Sequence, residues 1–242
     1  MENVPTYLSL AFGLTTGLAI WLFYRAAGHS LLFLSAVLAW LLVQGVLSWN
    51  GFYTVTTIVP PRFVLLVGPP MLAILGLFAT AWGKAFLDAL RPDRLTLLHL
   101  VRVPVELVLF GLYLHRAVPQ LMTFEGRNWD VLSGLSAPVV FYLAFLKKWL
   151  GPRTLLVWNV VCLGLLINIV LNAILSAPTP FQRFAFEQPN VAILCFPFVW
   201  LPSCVVPLVL LSHLTVIRQL VARPAPVANA PLETSWVLTP RG

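Results

Sequence analysis

Apolar residues run through this chain in long continuous stretches, and polar residues gather in short clusters between them. Seven such stretches stand out, at residues 7–24, 31–48, 64–82, 95–116, 131–146, 154–175 and 191–216. Most approach the ~20 residues that a helix needs to cross a hydrocarbon core about 30 Å thick. The fifth is short, and the seventh is long enough to tilt or to run past the interface. A closed barrel would need much shorter segments of alternating polarity. The pattern therefore predicts an all-α integral membrane protein, a seven-transmembrane-helix bundle. The longest connections, at 49–63, 117–130 and 176–190, leave no room for a separate soluble domain. Residues 1–216 are expected to form one transmembrane domain, and residues 217–242, rich in Pro and Ala, a disordered cytoplasmic tail.

Composition agrees with that pattern: 60% of residues are hydrophobic and 10% charged, against an apolar share of about 45 to 50% in soluble domains. The net charge of +7 is spread unevenly. Arg25, Lys84, Arg91, Arg94, Lys147, Lys148, Arg153, Arg218, Arg223 and Arg241 fall on one side of the alternating topology. Arg62, Arg127 and Arg183 fall on the other, with Arg116 at a helix end. Cytoplasmic loops retain Lys and Arg, so the N-terminus is expected outside and the C-terminus in the cytoplasm. The positive charge then marks topology and attraction to anionic headgroups, and nucleic acid is not an expected partner. Glu2 and no Lys or Arg precede the first apolar stretch, which is expected to remain in the protein. No Asn-x-Ser/Thr acceptor occurs, and a bacterial inner (plasma) membrane is the expected location.

Several chemistries lack their residues. Lys84, Lys147 and Lys148 flank apolar stretches, so no intramembrane lysine could carry a retinal Schiff base. His29, His99, His115 and His213 lack metal-ligand spacing. Cys162, Cys195 and Cys204 lie inside apolar stretches, where thiols act as small packing residues. No cofactor and no metal are expected; the expected partners are the bilayer and a small or lipid-soluble ligand. Pro197, Pro202 and Pro207 should bend the seventh helix. Gly13 and Gly17 in the first stretch, and Ser133, Gly134, Ser136 and Ala137 in the fifth, would permit close helix approach.

The fourth stretch, "LTLLHLVRVPVELVLFGLYLHR", carries the candidate chemistry. At helical spacing His99, Arg102, Glu106, Tyr113 and Arg116 form one stripe. A charge at membrane depth costs about 3 kcal/mol on insertion scales, so Arg102 and Glu106 should face protein or water. They stand four residues apart and could neutralise one another across a turn. Asn168, Asn172 and Gln44 lie at compatible depth and could extend the stripe into a polar route from outside to Glu106. His213 lies toward the inner end of the seventh helix. Glu125, Arg127, Asn128 and Asp130 in "FEGRNWD" are placed on the outer face above that stripe. There Asp130 should cap the fifth helix, Glu125 and Arg127 should pair locally, and Glu125, Arg127 and Asn128 could form a cavity mouth.

The leading expectation is therefore a polytopic membrane protein that binds or transports a small or amphipathic solute through a polar cavity around Glu106 and Arg102. One alternative is a membrane-embedded enzyme using Glu106 as general acid on a lipid-soluble substrate. Over a few residues, "VPVELVLF" resembles the Pro-x-Glu-Glu element of small membrane-bound lycopene cyclases, with Leu107 in place of the second Glu. That resemblance implies that a single membrane-buried acid could protonate such a substrate. The other alternative is a noncatalytic sensor or assembly protein whose charged stripe meets a partner helix.

Overall fold

The structure is a computed structural model and describes residues 4–222. Among these the regular elements are all helical. The principal helices are α1 (Thr6–Ala26), α2 (Leu31–Trp49), α3 (Val64–Ala79), α4 (Ala81–Ala89), α5 (Pro92–Leu114), α6 (Val131–Leu146), α7 (Pro152–Ser176) and α8 (Leu201–Ala222). Five of them, α1, α2, α5, α7 and α8, are long and apolar enough to cross a membrane. The count rises to six if α3 and α4 form one broken span, and α6 is a shorter apolar helix. Leu14, Leu42, Leu135 and Val157 are exposed on the bundle surface. Apolar exposure on this scale fits a lipid-facing wall.

The third stretch does not continue as one helix. Chain direction turns by 94° between α3 and α4. The hinge is Thr80, whose backbone is extended and whose Oγ1 accepts from Gly83 N at 3.1 Å, capping α4. Gly83 lies so close to the Leu77 backbone that no Cβ would fit between them.

The seventh stretch also departs from expectation: its first ten residues form a 3-10 turn at Ala192–Leu194 and further turns, and α8 starts at Leu201. Pro197 therefore lies ahead of the helix. Pro207 lies inside it and cannot donate to Ser203 O. Trp40 of α2 supplies the missing donor, its Nε1 reaching Ser203 O at 2.9 Å. The opening turn of α8, Leu201–Val205, is π-helical. Helix α8 runs on to Ala222, six residues into the segment expected as a tail. The rest of that segment, 223–242, lies outside the described residues.

The helix ends are tied together at both poles. At one, Arg91 N donates to Ala26 O at 3.0 Å, Gln219 Nε2 donates to Leu87 O and Leu90 O, and Arg218 pairs with Asp88 at 2.9 Å. At the other, Gln188 Nε2 bonds Tyr113 O and Val118 O, while Val191 N and Ala192 N both donate to Ala117 O. Between the poles one apolar core joins α1, α5 and α8 through residues such as Phe12, Phe23, Leu98, Leu112 and Leu208, with Phe198 from the turns ahead of α8.

Candidate functional site

The site begins at a defect in α5. Pro104 removes the N–H that would bond Leu100 O, and the helix tightens into a 3-10 turn at His99–Val101 just ahead of it. Arg102 follows, ten residues from the start of α5 and so about 15 Å along its axis. It is 3% exposed. Arg102 Nη1 donates to Asp130 Oδ1 at 2.8 Å and to Cys162 O at 3.4 Å, and Nη2 donates to His213 Nε2 at 2.9 Å.

Asp130 is thus buried inside the bundle. It occupies the position before α6, but its backbone is already helical and its side chain caps nothing. The 117–130 connection descends into the bundle, and α6 starts at the depth of Arg102. Gly134 makes this possible: a Cβ there would stand 2.8 Å from Val103 Cγ2, 3.0 Å from Val103 N and 3.2 Å from Arg102 Cβ. Ser133 and Ala137 are buried on the same α6 face. Gly13 and Gly17, by contrast, have nothing within contact range of a Cβ, so their positions do not mark a helix contact.

Asn128 holds the descending loop. Its Nδ2 donates to Met122 O at 3.0 Å and to Glu106 Oε1, and its Oδ1 accepts from Asp130 N at 3.1 Å. Glu106 therefore bonds Asn128, and Arg102 pairs with Asp130; the expected Arg102–Glu106 pair does not form. The reason is geometric: the loop delivers an amide and a second carboxylate between two residues that would otherwise meet only across a proline-disturbed turn.

On its far side Arg102 fixes the tautomer of His213. Nε2 accepts from the guanidinium, so Nδ1 carries the hydrogen and donates to Asn159 Oδ1 at 2.9 Å, while Asn159 Nδ2 donates to Leu155 O. His99 stacks on His213 with ring centroids 3.9 Å apart and meets the edge of Trp158. Trp158 Nε1 in turn bonds Ser136 Oγ at 3.0 Å. Glu106, Asn128, Asp130, Arg102, His213 and Asn159 form one buried polar chain linking α5, the descending loop, α7 and α8. Five atoms beside it, His99 Nδ1 and Nε2, Arg102 Nε, Glu106 Oε2 and Ser133 Oγ, are buried without a hydrogen-bond partner.

The remaining predicted residues lie elsewhere. Gln44 is buried against Tyr53, whose hydroxyl it accepts; burial raises the Tyr53 phenol above its usual range. Tyr113 is half-buried and Arg116 is exposed just past the end of α5 at φ 59°. Asn168 is exposed and donates to Arg127 O at 3.0 Å, and Asn172 folds back on Asn168. Glu125 and Arg127 are exposed and do not pair. The expected polar route from Arg116 to Glu106 is therefore not assembled. Asn159 and the entry of Asn128 and Asp130 into the bundle were not anticipated. An Asn one helical turn from Leu155 in an apolar stretch was the available signal for the first; nothing in the sequence marks the second.

Beside the polar chain lies a cavity of about 190 Å³. Its wall comes from α3 (Val67 and Met71) with Phe63 just ahead of it, α5, the descending loop, α7 and α8. The lining is apolar except for Glu106, Asn128 and Asp130, and Arg102 is not part of it. The predicted polar cavity around Glu106 and Arg102 thus separates into an apolar chamber touching Glu106 and a packed ionic chain containing Arg102. Ile167 and Leu171 of α7 line the chamber yet are 48% and 53% exposed, so it opens sideways at α7. Helix α3 packs on α4 and α8, leaving the opening between α3 and α7.

A family model described as a domain of unknown function, DUF8737, matches residues 59–221. The match takes in α3 to α8 and every residue of the polar chain and the chamber. No curated protein and no solved structure matches the chain.

Proposed function

The chain belongs to the DUF8737 family, and from its site we propose a polytopic membrane protein that takes a lipid-soluble or amphipathic small molecule into the chamber beside Glu106. The observation that carries this reading is the chamber itself: about 190 Å³, apolar, open toward the lipid-facing surface, and bearing its polar groups at one place. Sites for small molecules are mostly apolar with a few placed polar groups. A solute entering from water would have to cross the apolar lining before meeting Glu106, whereas a membrane-dissolved one would not.

The same proposal includes seven crossings, with α3 and α6 as short ones and α4 lying along the surface. It includes the N-terminus outside and a bacterial inner membrane as location. Arg25, Lys84, Arg91, Arg94 and Arg218 lie at or beside the helix ends tied together at one pole, which supports that pole as the cytoplasmic one.

Lipophilic compounds that co-purify with the protein provide the test. Extracts of wild type and of a chamber-filling variant, Val170→Phe, at a position of α7 that lines the chamber, would be compared by mass spectrometry. A compound held by wild type and lost from the variant is the expected result; identical extracts from two folded proteins would remove the chamber from consideration. The enzymatic reading, with Glu106 as general acid, shares the chamber and is favoured by the unpartnered Oε2. It requires that wild type convert the bound compound and that Glu106→Gln bind it unchanged.

A further inference from the structure

Resting on the chamber proposed above, we infer that its ligand is a neutral lipid alcohol that enters sideways between α3 and α7 and sets its hydroxyl against Glu106 Oε2. The headgroup follows from counting donors and acceptors on the polar part of the wall. Asn128 is committed on both sides, Nδ2 to Met122 O and Glu106, Oδ1 to Asp130 N. Asp130 Oδ1 is committed to Arg102. Glu106 Oε1 is committed to Asn128, while Oε2 is buried and without a partner. Among the described residues Asp130 Oδ2 makes no hydrogen bond either, so the wall offers a ligand two carboxyl oxygens and no free donor, with Glu106 Oε2 the one that lies buried.

An anionic headgroup would meet Glu106 and Asp130 with no cation in the chamber wall, since Arg102 lies behind Asp130 and spends Nη1 on Asp130 and Nη2 on His213. An ammonium brings three donors, of which at most two find Glu106 Oε2 and Asp130 Oδ2 while the third meets an apolar lining. A hydroxyl brings one donor and can also accept. It pairs with a carboxylate by donating and with a carboxylic acid by accepting, so it fits Glu106 in either protonation state.

The tail follows from the chamber's size and opening. An apolar cavity of about 150 Å³ holds a benzene, so this chamber of about 190 Å³ encloses an apolar group somewhat larger. Any longer tail passes out beside Ile167 and Leu171 into the bilayer. The π-helical turn at Leu201–Val205 lines the opposite wall through Leu201 and Pro202.

The experiment uses the full chain in nanodiscs and a diazirine-bearing ten-carbon alcohol as photoprobe, with labelled peptides mapped by mass spectrometry. Decanol, decane, decylamine and decanoate serve as competitors. Saturable labelling of α3 and α7 is expected, with decanol competing about three- to tenfold better than decane, the worth of one hydrogen bond. The charged competitors should be weaker than decanol. Glu106→Leu should erase the preference for decanol over decane while labelling persists. Because that variant also strips Asn128 of a partner, Ile167→Trp provides a second handle: it alters a lipid-facing position and should block labelling. Equal competition by decane and decanol in wild type, or preferential competition by decylamine, would overturn the alcohol assignment and leave the chamber standing. Labelling that is unsaturable and indifferent to Ile167→Trp would overturn both.

Discussion

Arg102 is the residue on which the buried chain depends, because it holds an acid from one segment and a histidine from another. Two charges removed from water lose several kcal/mol of hydration each, which their attraction and the surrounding bonds must offset. Removing one partner leaves the other charged and alone. Arg102→Leu should therefore destabilise the protein by about 3 to 5 kcal/mol, and Arg102→Leu with Asp130→Leu should recover much of that loss. Unfolding of both variants in mild detergent checks it; a double variant no better than the single one would mean that Arg102 acts chiefly through His213 and Cys162 O. The sequence placed Arg102 and Glu106 correctly as buried groups, since an ion in an apolar stretch must face inward. It could not reveal their partners. Arg102 and Glu106 at four-residue spacing were the nearest opposite charges, and the rival acid, Asp130, sits at a position where Asp ordinarily caps a helix.

At the scale of elements, local rules served where a helix is uninterrupted and failed where a small residue or proline redirects it. Helices α1, α2 and α7 match their apolar stretches within two residues at each end. The bend at Thr80 was hidden because the stretch remains apolar through Trp82, and apolarity says nothing of direction. Likewise Gly13 and Gly17 had the spacing of a contact face, yet it is Gly134, at a position with no such spacing signal, that packs closely against α5. Gly134→Ala should push α6 from Val103 and Arg102 and destabilise by about 1 to 3 kcal/mol, the range for overpacking. Gly13→Ala and Gly17→Ala should be neutral or slightly stabilising. Thermal unfolding of the three variants separates the two kinds of glycine. A second element-level prediction concerns Trp40, which satisfies the carbonyl that Pro207 leaves bare. Trp40→Phe should cost about 1 to 3 kcal/mol through that buried carbonyl. Adding Pro207→Ala should return part of it by restoring the helical donor, so the two substitutions should be non-additive; simple additivity would mean that Ser203 O is satisfied in another way.

For the whole molecule, the decisive question is how many times the chain crosses and in which sense, because the chamber's opening faces lipid only if α3 and α7 both stand in the membrane. Helices α3 and α6 are each 16 residues, about 24 Å long, and so short of a hydrocarbon core of about 30 Å. Short helices can still cross by local thinning of the bilayer and by anchoring at their ends. The descending loop shortens the task for α6, since its first residue already lies at the depth of Arg102. In a cysteine-free background, single cysteines at Arg62, Arg91, Lys148 and Arg183 would be treated with a membrane-impermeant maleimide in right-side-out and inverted vesicles. Arg62 and Arg183 positions should react from outside, and Arg91 and Lys148 positions from the cytoplasmic side. If Arg62 and Arg91 react from the same side, α3 does not cross, which is incompatible with Arg91 N bonding Ala26 O at the end of α1 while α2 carries the chain to the opposite pole, and the doorway between α3 and α7 is lost. If they react from opposite sides, α3 crosses, and the gap between α3 and α7 is a doorway from the bilayer to Glu106.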